Sequence, residues 1–123
     1  MASRILIVDD DYDLALTLKV GLEESGYTVD LFTEPKKLIH EFRPGVYSLL
    51  LVDVRMPGMT GFELFEILRK QDDQFRICFI TAFEQYYNSI GEFFPKLDVD
   101  CFLKKPLSIG ELQAHVAEEL SKM

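Results

Sequence analysis

Short apolar runs alternate along this chain with stretches of helical spacing, and four of those runs stop at a residue that can do chemistry. Ile5–Val8 runs into Asp9-Asp10-Asp11, and Leu49–Val52 runs into Asp53. Ile77–Ile80 runs into Thr81, and Cys101–Leu103 runs into Lys104-Lys105-Pro106. A fifth run, Thr28–Leu31, completes the set. Runs this short, bounded by turn signals, read as strands buried on both faces.

Helical patterns fill the gaps. Leu14, Ala15, Leu18 and Leu22 recur at helical spacing, with Gly26 as a stop signal. Pro35 opens a second helix carrying Leu38, Ile39 and Phe42 on one face, and Pro44-Gly45 closes it. Thr60 is placed to cap a third, with Glu63 completing a capping box and Phe62, Phe65 and Leu68 facing inward. A less regular fourth helix is predicted over Glu84–Phe94, before Pro95, and Ser108 caps a last one carrying Ile109, Leu112, Val116 and Leu120. Strand–helix alternation of this kind predicts an α/β fold: a five-stranded parallel sheet flanked by five helices, as one domain over residues 1–123. Right-handed crossovers bring every strand's C-terminal end to one edge, where such sheets bind ligands.

Composition narrows the function classes. The net charge is −8 with no basic stripe, a poor basis for neutralising nucleic-acid phosphates. No apolar run approaches the roughly 18 residues of a membrane span, and the short run after Met1 is no export signal, so a cytoplasmic location is expected. Cys78 and Cys101 fall in predicted buried strands of a protein without an export signal. A disulfide or redox pair is one reading of them, and two small buried thiols is the expected one.

The strand ends would gather three carboxylates, a hydroxyl and an ammonium in one shallow pocket. Clustered carboxylates raise one another's pKa, and a divalent cation relieves the repulsion. Mg²⁺ takes oxygen ligands, commonly one or two carboxylates plus a phosphate. Asp10 is the expected direct ligand, with Asp9 binding directly or through water, Asp53 giving one oxygen and the backbone carbonyl of Arg55 another. A carboxylate is also a nucleophile towards phosphorus. Phosphoryl transfer needs mostly positioning and charge neutralisation. The cation, Lys105 and the Thr81 hydroxyl would each meet one phosphoryl oxygen. Each feature alone has a bland reading, such as Asp10 or Asp11 capping the first helix. The ordered set at four strand ends is what points to Asp53 as phosphoacceptor.

The segments Ile-Leu-Ile-Val-Asp-Asp-Asp at 5–11, Leu-Leu-Leu-Val-Asp-Val-Arg-Met-Pro-Gly-Met-Thr-Gly at 49–61, Phe-Ile-Thr-Ala at 79–82 and Phe-Leu-Lys-Lys-Pro at 102–106 resemble the receiver domains of two-component response regulators. The resemblance covers nearly the whole chain. It implies a doubly wound, flavodoxin-like sheet of strand order 2-1-3-4-5. It also implies Mg²⁺ (or Mn²⁺) held by Asp9 and Asp10, with Asp53 phosphorylated by a partner histidine kinase, a phosphotransfer protein or a small phosphodonor. Thr81 would be the switch hydroxyl and Lys105, before a Pro106 whose peptide bond is often cis, the phosphate-contacting lysine. Phe102 stands where the family couples an aromatic to phosphorylation. Signalling would pass through the face made by the fourth helix, strand five and the last helix. The implied role is a phosphoacceptor signalling domain rather than an enzyme with an external substrate. Its output would be a downstream protein or a linked domain absent from this chain, and the resemblance also allows a phosphorylation-dependent homodimer.

Arg55 and Phe83 are expected to flank the site and slow loss of the phosphoryl group, with the phosphate or an acidic neighbour such as Glu84 as a partner for Arg55. The aromatics Phe83, Tyr86, Tyr87, Phe93 and Phe94 either fill the core or form a partner or self-association surface. A phosphohydrolase commonly has a second acid two residues beyond its nucleophile, where this chain has Arg55. A flavin carrier needs a phosphate loop after strand one, where Asp9–Asp11 would repel the phosphate.

Overall fold

The computed structural model describes residues 3–82 and 101–123. The elements run β1 Arg4–Val8, α1 Tyr12–Glu23, β2 Thr28–Phe32, α2 Pro35–Glu41, β3 Leu49–Asp53, α3 Gly61–Arg69, β4 Arg76–Thr81, β5 Cys101–Lys104 and α4 Ile109–Ser121. The strands form one parallel sheet in the order β2-β1-β3-β4-β5. Four helices lie among the described residues, and the one predicted over residues 84–94, with its aromatics, lies outside them.

Parallel strands need both faces covered, and alternation along each strand supplies two cores. Leu6, Val8, Leu50, Val52, Ile77 and Phe79 point to one side, where they meet Leu38 of α2 and Phe62, Phe65 and Leu68 of α3. Ile5, Ile7, Leu49, Leu51, Cys78, Ile80, Cys101 and Leu103 point to the other, against Leu18 and Leu22 of α1 and Leu112 and Val116 of α4. β3, in the centre of the sheet, is buried at all five positions. Each such fully buried side chain contributes about 1.5–3 kcal/mol relative to exposure.

The helix starts follow their caps. Asp11 caps α1 by accepting the Leu14 N–H at 3.1 Å. Thr60 and Glu63 form the reciprocal capping box of α3, and Ser108 accepts the Glu111 N–H at the start of α4. Gly26, with φ at +96°, ends the α1 segment in a conformation that only glycine adopts at little cost.

The register corrects one sequence expectation. Cys78 on β4 stands directly opposite Cys101 on β5, with Cα atoms 4.5 Å apart, and the two form a disulfide rather than a pair of free thiols. Both are buried, as expected. Sequence spacing does not give cross-strand register, so the facing of the two sulfurs is visible only in the folded sheet.

Candidate functional site

The C-terminal ends of four strands build the site. Asp9 directly follows β1 and extends its ladder, donating its N–H to the Phe32 carbonyl at 3.1 Å. Its side chain is therefore fixed at the sheet edge and is 2% exposed. Asp53 closes β3 and is 7% exposed. Thr81 closes β4, buried, and its carbonyl accepts the Lys105 N–H at 2.9 Å, which ties the ends of β4 and β5 together. The Lys105–Pro106 peptide is cis, as the resemblance implied.

Lys105 is the centre of the polar network. Its Nζ donates to Asp9 Oδ2 at 3.0 Å and to Asp53 Oδ2 at 3.4 Å, joining residues 96 and 52 positions away. Asp9 Oδ1 accepts the Asp11 N–H at 3.0 Å, and Asp53 Oδ1 accepts the Arg55 N–H at 3.4 Å. The Arg55 backbone is thereby held beside the Asp53 carboxylate, while its side chain is exposed. Asp10 is exposed, and its carboxylate comes within 4.8 Å of those of Asp9 and Asp53, a spacing that one metal ion can span.

The electrostatics follow from this crowding. Burial and then the charge of Asp9 push the Asp53 carboxyl up from 3.8 to about 6. Lys105 and the Arg55 N–H pull it the other way without cancelling the rise. Burial works against the Lys105 ammonium, but the hydrogen bond to Asp9 and the charges of Asp53 and Asp9 outweigh it, so its pKa is raised. The pocket thus holds a fixed ammonium, a buried carboxyl that resists carrying its own charge, and two further acids. Such a donor set fits a hard divalent cation.

Phe102 faces the core opposite Cys101, half-buried, with its ring 6.1 Å from Phe79 and 6.4 Å from Phe62. Asp9, Asp10, Asp53 and Lys105 are thus brought together. Thr81 lies at the same edge, and Phe102 sits in the core beneath it. Phe83 and Glu84, expected beside Arg55, lie outside the described residues. One neighbour was missed. Gly61 opens α3 so close to β3 that a Cβ there would meet the Asp53 carbonyl and the Val52 side chain. Its amide also donates to the Val54 carbonyl at 2.8 Å. The readable signal was a glycine at the first position of a capped helix that begins eight residues after Asp53.

Known proteins resemble this chain in sequence and in fold. The family model described as "Response regulator receiver domain" matches residues 5–117. The uncharacterized transcriptional regulatory protein YkoG of Bacillus subtilis (strain 168) is 35% identical over 119 residues, covering 95% of this chain and 50% of its own length. The transcriptional regulatory protein PcoR of Escherichia coli is 32% identical, covering 92% of this chain and 49% of its own. The chain thus spans about half the length of these relatives. Among solved structures, the non-phosphorylated HemR receiver domain of Leptospira biflexa superposes with a TM-score of 0.82 at 28% identity, covering 97% of this chain and 94% of that one. The response regulator TrrA of Thermotoga maritima, solved in complex with Mg(2+)-BeF, gives 0.81 at 29% identity, covering 95% and 98%. With the family model spanning most of its length and the five-stranded 2-1-3-4-5 sheet in place, this chain belongs to the receiver domains of two-component response regulators.

Proposed function

We propose that Asp53 is the phosphoacceptor of this signalling domain. The observation that carries the reading is the Lys105 ammonium seated on Asp9 and Asp53 at once, beside a third carboxylate. An Oδ of Asp53 attacks the phosphorus of a phosphohistidine on a partner kinase, or of a small acyl phosphate. The new O–P bond forms as the donor's N–P or O–P bond breaks, and the electron pair leaves with the donor. Burial supports this role, since a poorly solvated carboxylate is a better nucleophile than a hydrated one.

Lys105 swings its ammonium from the carboxylates to a phosphoryl oxygen, where its raised pKa keeps it charged. Thr81 donates its hydroxyl to another. Asp9, Asp10, one oxygen of Asp53 and the Arg55 carbonyl are the groups that would hold Mg²⁺ (or Mn²⁺). When bound, the ion neutralises charge shared between Asp53 and the phosphoryl group. The complex of TrrA with Mg(2+)-BeF supports this cation for a related site. Phe102, packed against Phe79 and Phe62, carries the change inward by repacking, since it has no hydroxyl to redirect. The partner is a histidine kinase or a phosphotransfer protein in the cytoplasm. The output is a linked or separate effector, in keeping with relatives about twice as long that are named transcriptional regulators.

The test is incubation with Mg²⁺ and acetyl phosphate followed by intact-mass measurement. Wild type gains one phosphoryl group and Asp53→Ala gains none. Equal labelling of both proteins overturns the assignment.

A further inference from the structure

The disulfide lies outside the polar site, yet it joins the two strands that deliver half of it. Cys78 is three residues before Thr81 on β4, and Cys101 is four residues before Lys105 on β5. The strands are tied again at their ends, where Thr81 pairs with Lys104 in register and accepts the Lys105 N–H. Among the described residues β5 is an edge strand with a ladder on one side only. Within the described sheet its backbone ladder therefore runs to β4 alone. A covalent bond across that ladder makes β4 and β5 move as one body.

We propose that Cys78 and Cys101 form a redox modification site that sets how readily the Asp53 site accepts a phosphoryl group, an inference that rests on the phosphoacceptor reading above. The two cysteines stand opposite each other with their Cα atoms at bonding separation, and both side chains belong to the same core. Access is unequal: Cys78 is fully buried, whereas Cys101, on the edge strand, keeps 5% exposure. Both thiols are buried, so exchange needs β5, the edge strand, to open, and Cys101 on that strand is the first to react. Its thiolate attacks one sulfur of a small-molecule disulfide R–S–S–R, forming a mixed disulfide and expelling one thiolate RS⁻. The Cys78 thiolate then attacks the Cys101 sulfur and expels the second RS⁻. The protein loses two protons and two electrons, and the small disulfide takes them up as two R–SH.

The consequence for the site is mechanical. On the phosphoacceptor reading, Lys105 shifts from Asp9 and Asp53 towards the phosphoryl oxygens at the end of β4 and β5. In the dithiol form, β5 adjusts against β4 through hydrogen bonds alone. In the disulfide form the same adjustment is resisted at Cys101, so the oxidised protein accepts phosphoryl groups more slowly. The closing pair lies in the core beneath α4, against Leu112 and Val116, so the bond is shielded once made.

The full chain is prepared reduced with a phosphine, or oxidised with glutathione disulfide, and both forms are desalted. Thiols are counted by alkylation and intact mass, and phosphorylation is followed with Mg²⁺ and acetyl phosphate. Two alkylated thiols in the reduced form and none in the oxidised form are expected, with phosphorylation at least about fivefold slower after oxidation, the lower end of ordinary coupling between sites. The Cys78→Ala/Cys101→Ala variant loses the redox response. The decisive comparison is between two states of one wild-type chain, so it does not depend on that variant folding. Free thiols surviving oxidation, or equal rates with Asp53 labelled in both forms, overturn the inference and leave the phosphoacceptor reading standing. Labelling in neither form overturns both.

Discussion

Replacing Asp53 by Asn should stabilise the metal-free protein at neutral pH. The carboxyl is pushed from 3.8 to about 6 because its burial and the neighbouring Asp9 outweigh the help of Lys105 and the Arg55 N–H. Two units of upward shift correspond to about 3 kcal/mol by which folding disfavours the ionised form. Residual contact with water and the hydrogen bond that Asn cannot accept reduce this, leaving a gain of about 2 kcal/mol. Asn keeps the shape and removes the charge.

The pH dependence carries the sign. Between pH 4 and 6 the folded state holds the Asp53 proton while the unfolded chain has released it, so the wild type loses stability as pH rises through that window. Asn does not titrate. The difference between variant and wild type should vanish near pH 3.5, grow through pH 6 and level off above pH 7. Urea titrations in EDTA at a series of pH values measure it, and at pH 7.5 the variant's midpoint should lie about 1 M higher. Mg²⁺ at ten times its dissociation constant should then return about 1.4 kcal/mol to the wild type and less to the variant. A variant no more stable than wild type at pH 7.5, or equally favoured at pH 3.5, would refute the electrostatic account.

Three further substitutions probe the same frame. Lys105→Met leaves Asp9 and Asp53 buried without their cation and should cost about 3 kcal/mol in EDTA, with part of the loss restored by Mg²⁺ in the same urea assay. Gly61→Ala drives a methyl into the Asp53 carbonyl and Val52, so α3 must shift; a loss of about 1–3 kcal/mol should come with slower phosphorylation by intact mass. Glu119→Ala removes the buried partner of Arg76 and Lys122 from α4, where Arg76 Nε lies 2.9 Å from Glu119 Oε2 at the start of β4, away from the Asp53 edge. It should lower stability by about 3 kcal/mol and leave the phosphorylation rate of the folded fraction unchanged.

What could be read from the residues was what depends on local periodicity. The strand ends at Asp9, Asp53, Thr81 and Lys105 followed from apolar runs that stop, and the Thr60–Glu63 box from a spacing of three. Register was not legible. The Cys78–Cys101 pair, the Glu119–Arg76 pair and the Arg4–Asp30 pair, which also receives the Tyr47 hydroxyl at 2.7 Å, each depend on which residues of separate elements come opposite one another. A hydrophobic pattern specifies the face of a strand, and only the folded sheet specifies its neighbour. The same limit applied inside the site. The sequence placed Lys105 at the pocket, but its division between Asp9 and Asp53 needed the distances.

On the phosphoacceptor reading, that division would make β5 the element through which charge at Asp53 becomes a change elsewhere. Lys105 has one ammonium and two buried carboxylates to serve, so added negative charge on Asp53 draws it from Asp9. The residues just before it are committed to different neighbours. Lys104 pairs with Thr81, Phe102 packs on Phe79 and Phe62 in one core, and Cys101 is bonded to Cys78 in the other. Any backbone movement that accompanies displacement of Lys105 is passed to these neighbours unless β5 is held. Hydrogen bonds to β4 hold it weakly, because an edge strand has no second ladder. The disulfide holds it firmly. In the proposed switch, the same four-residue strand would transmit the event at Asp53 and carries the bond that would restrain that transmission.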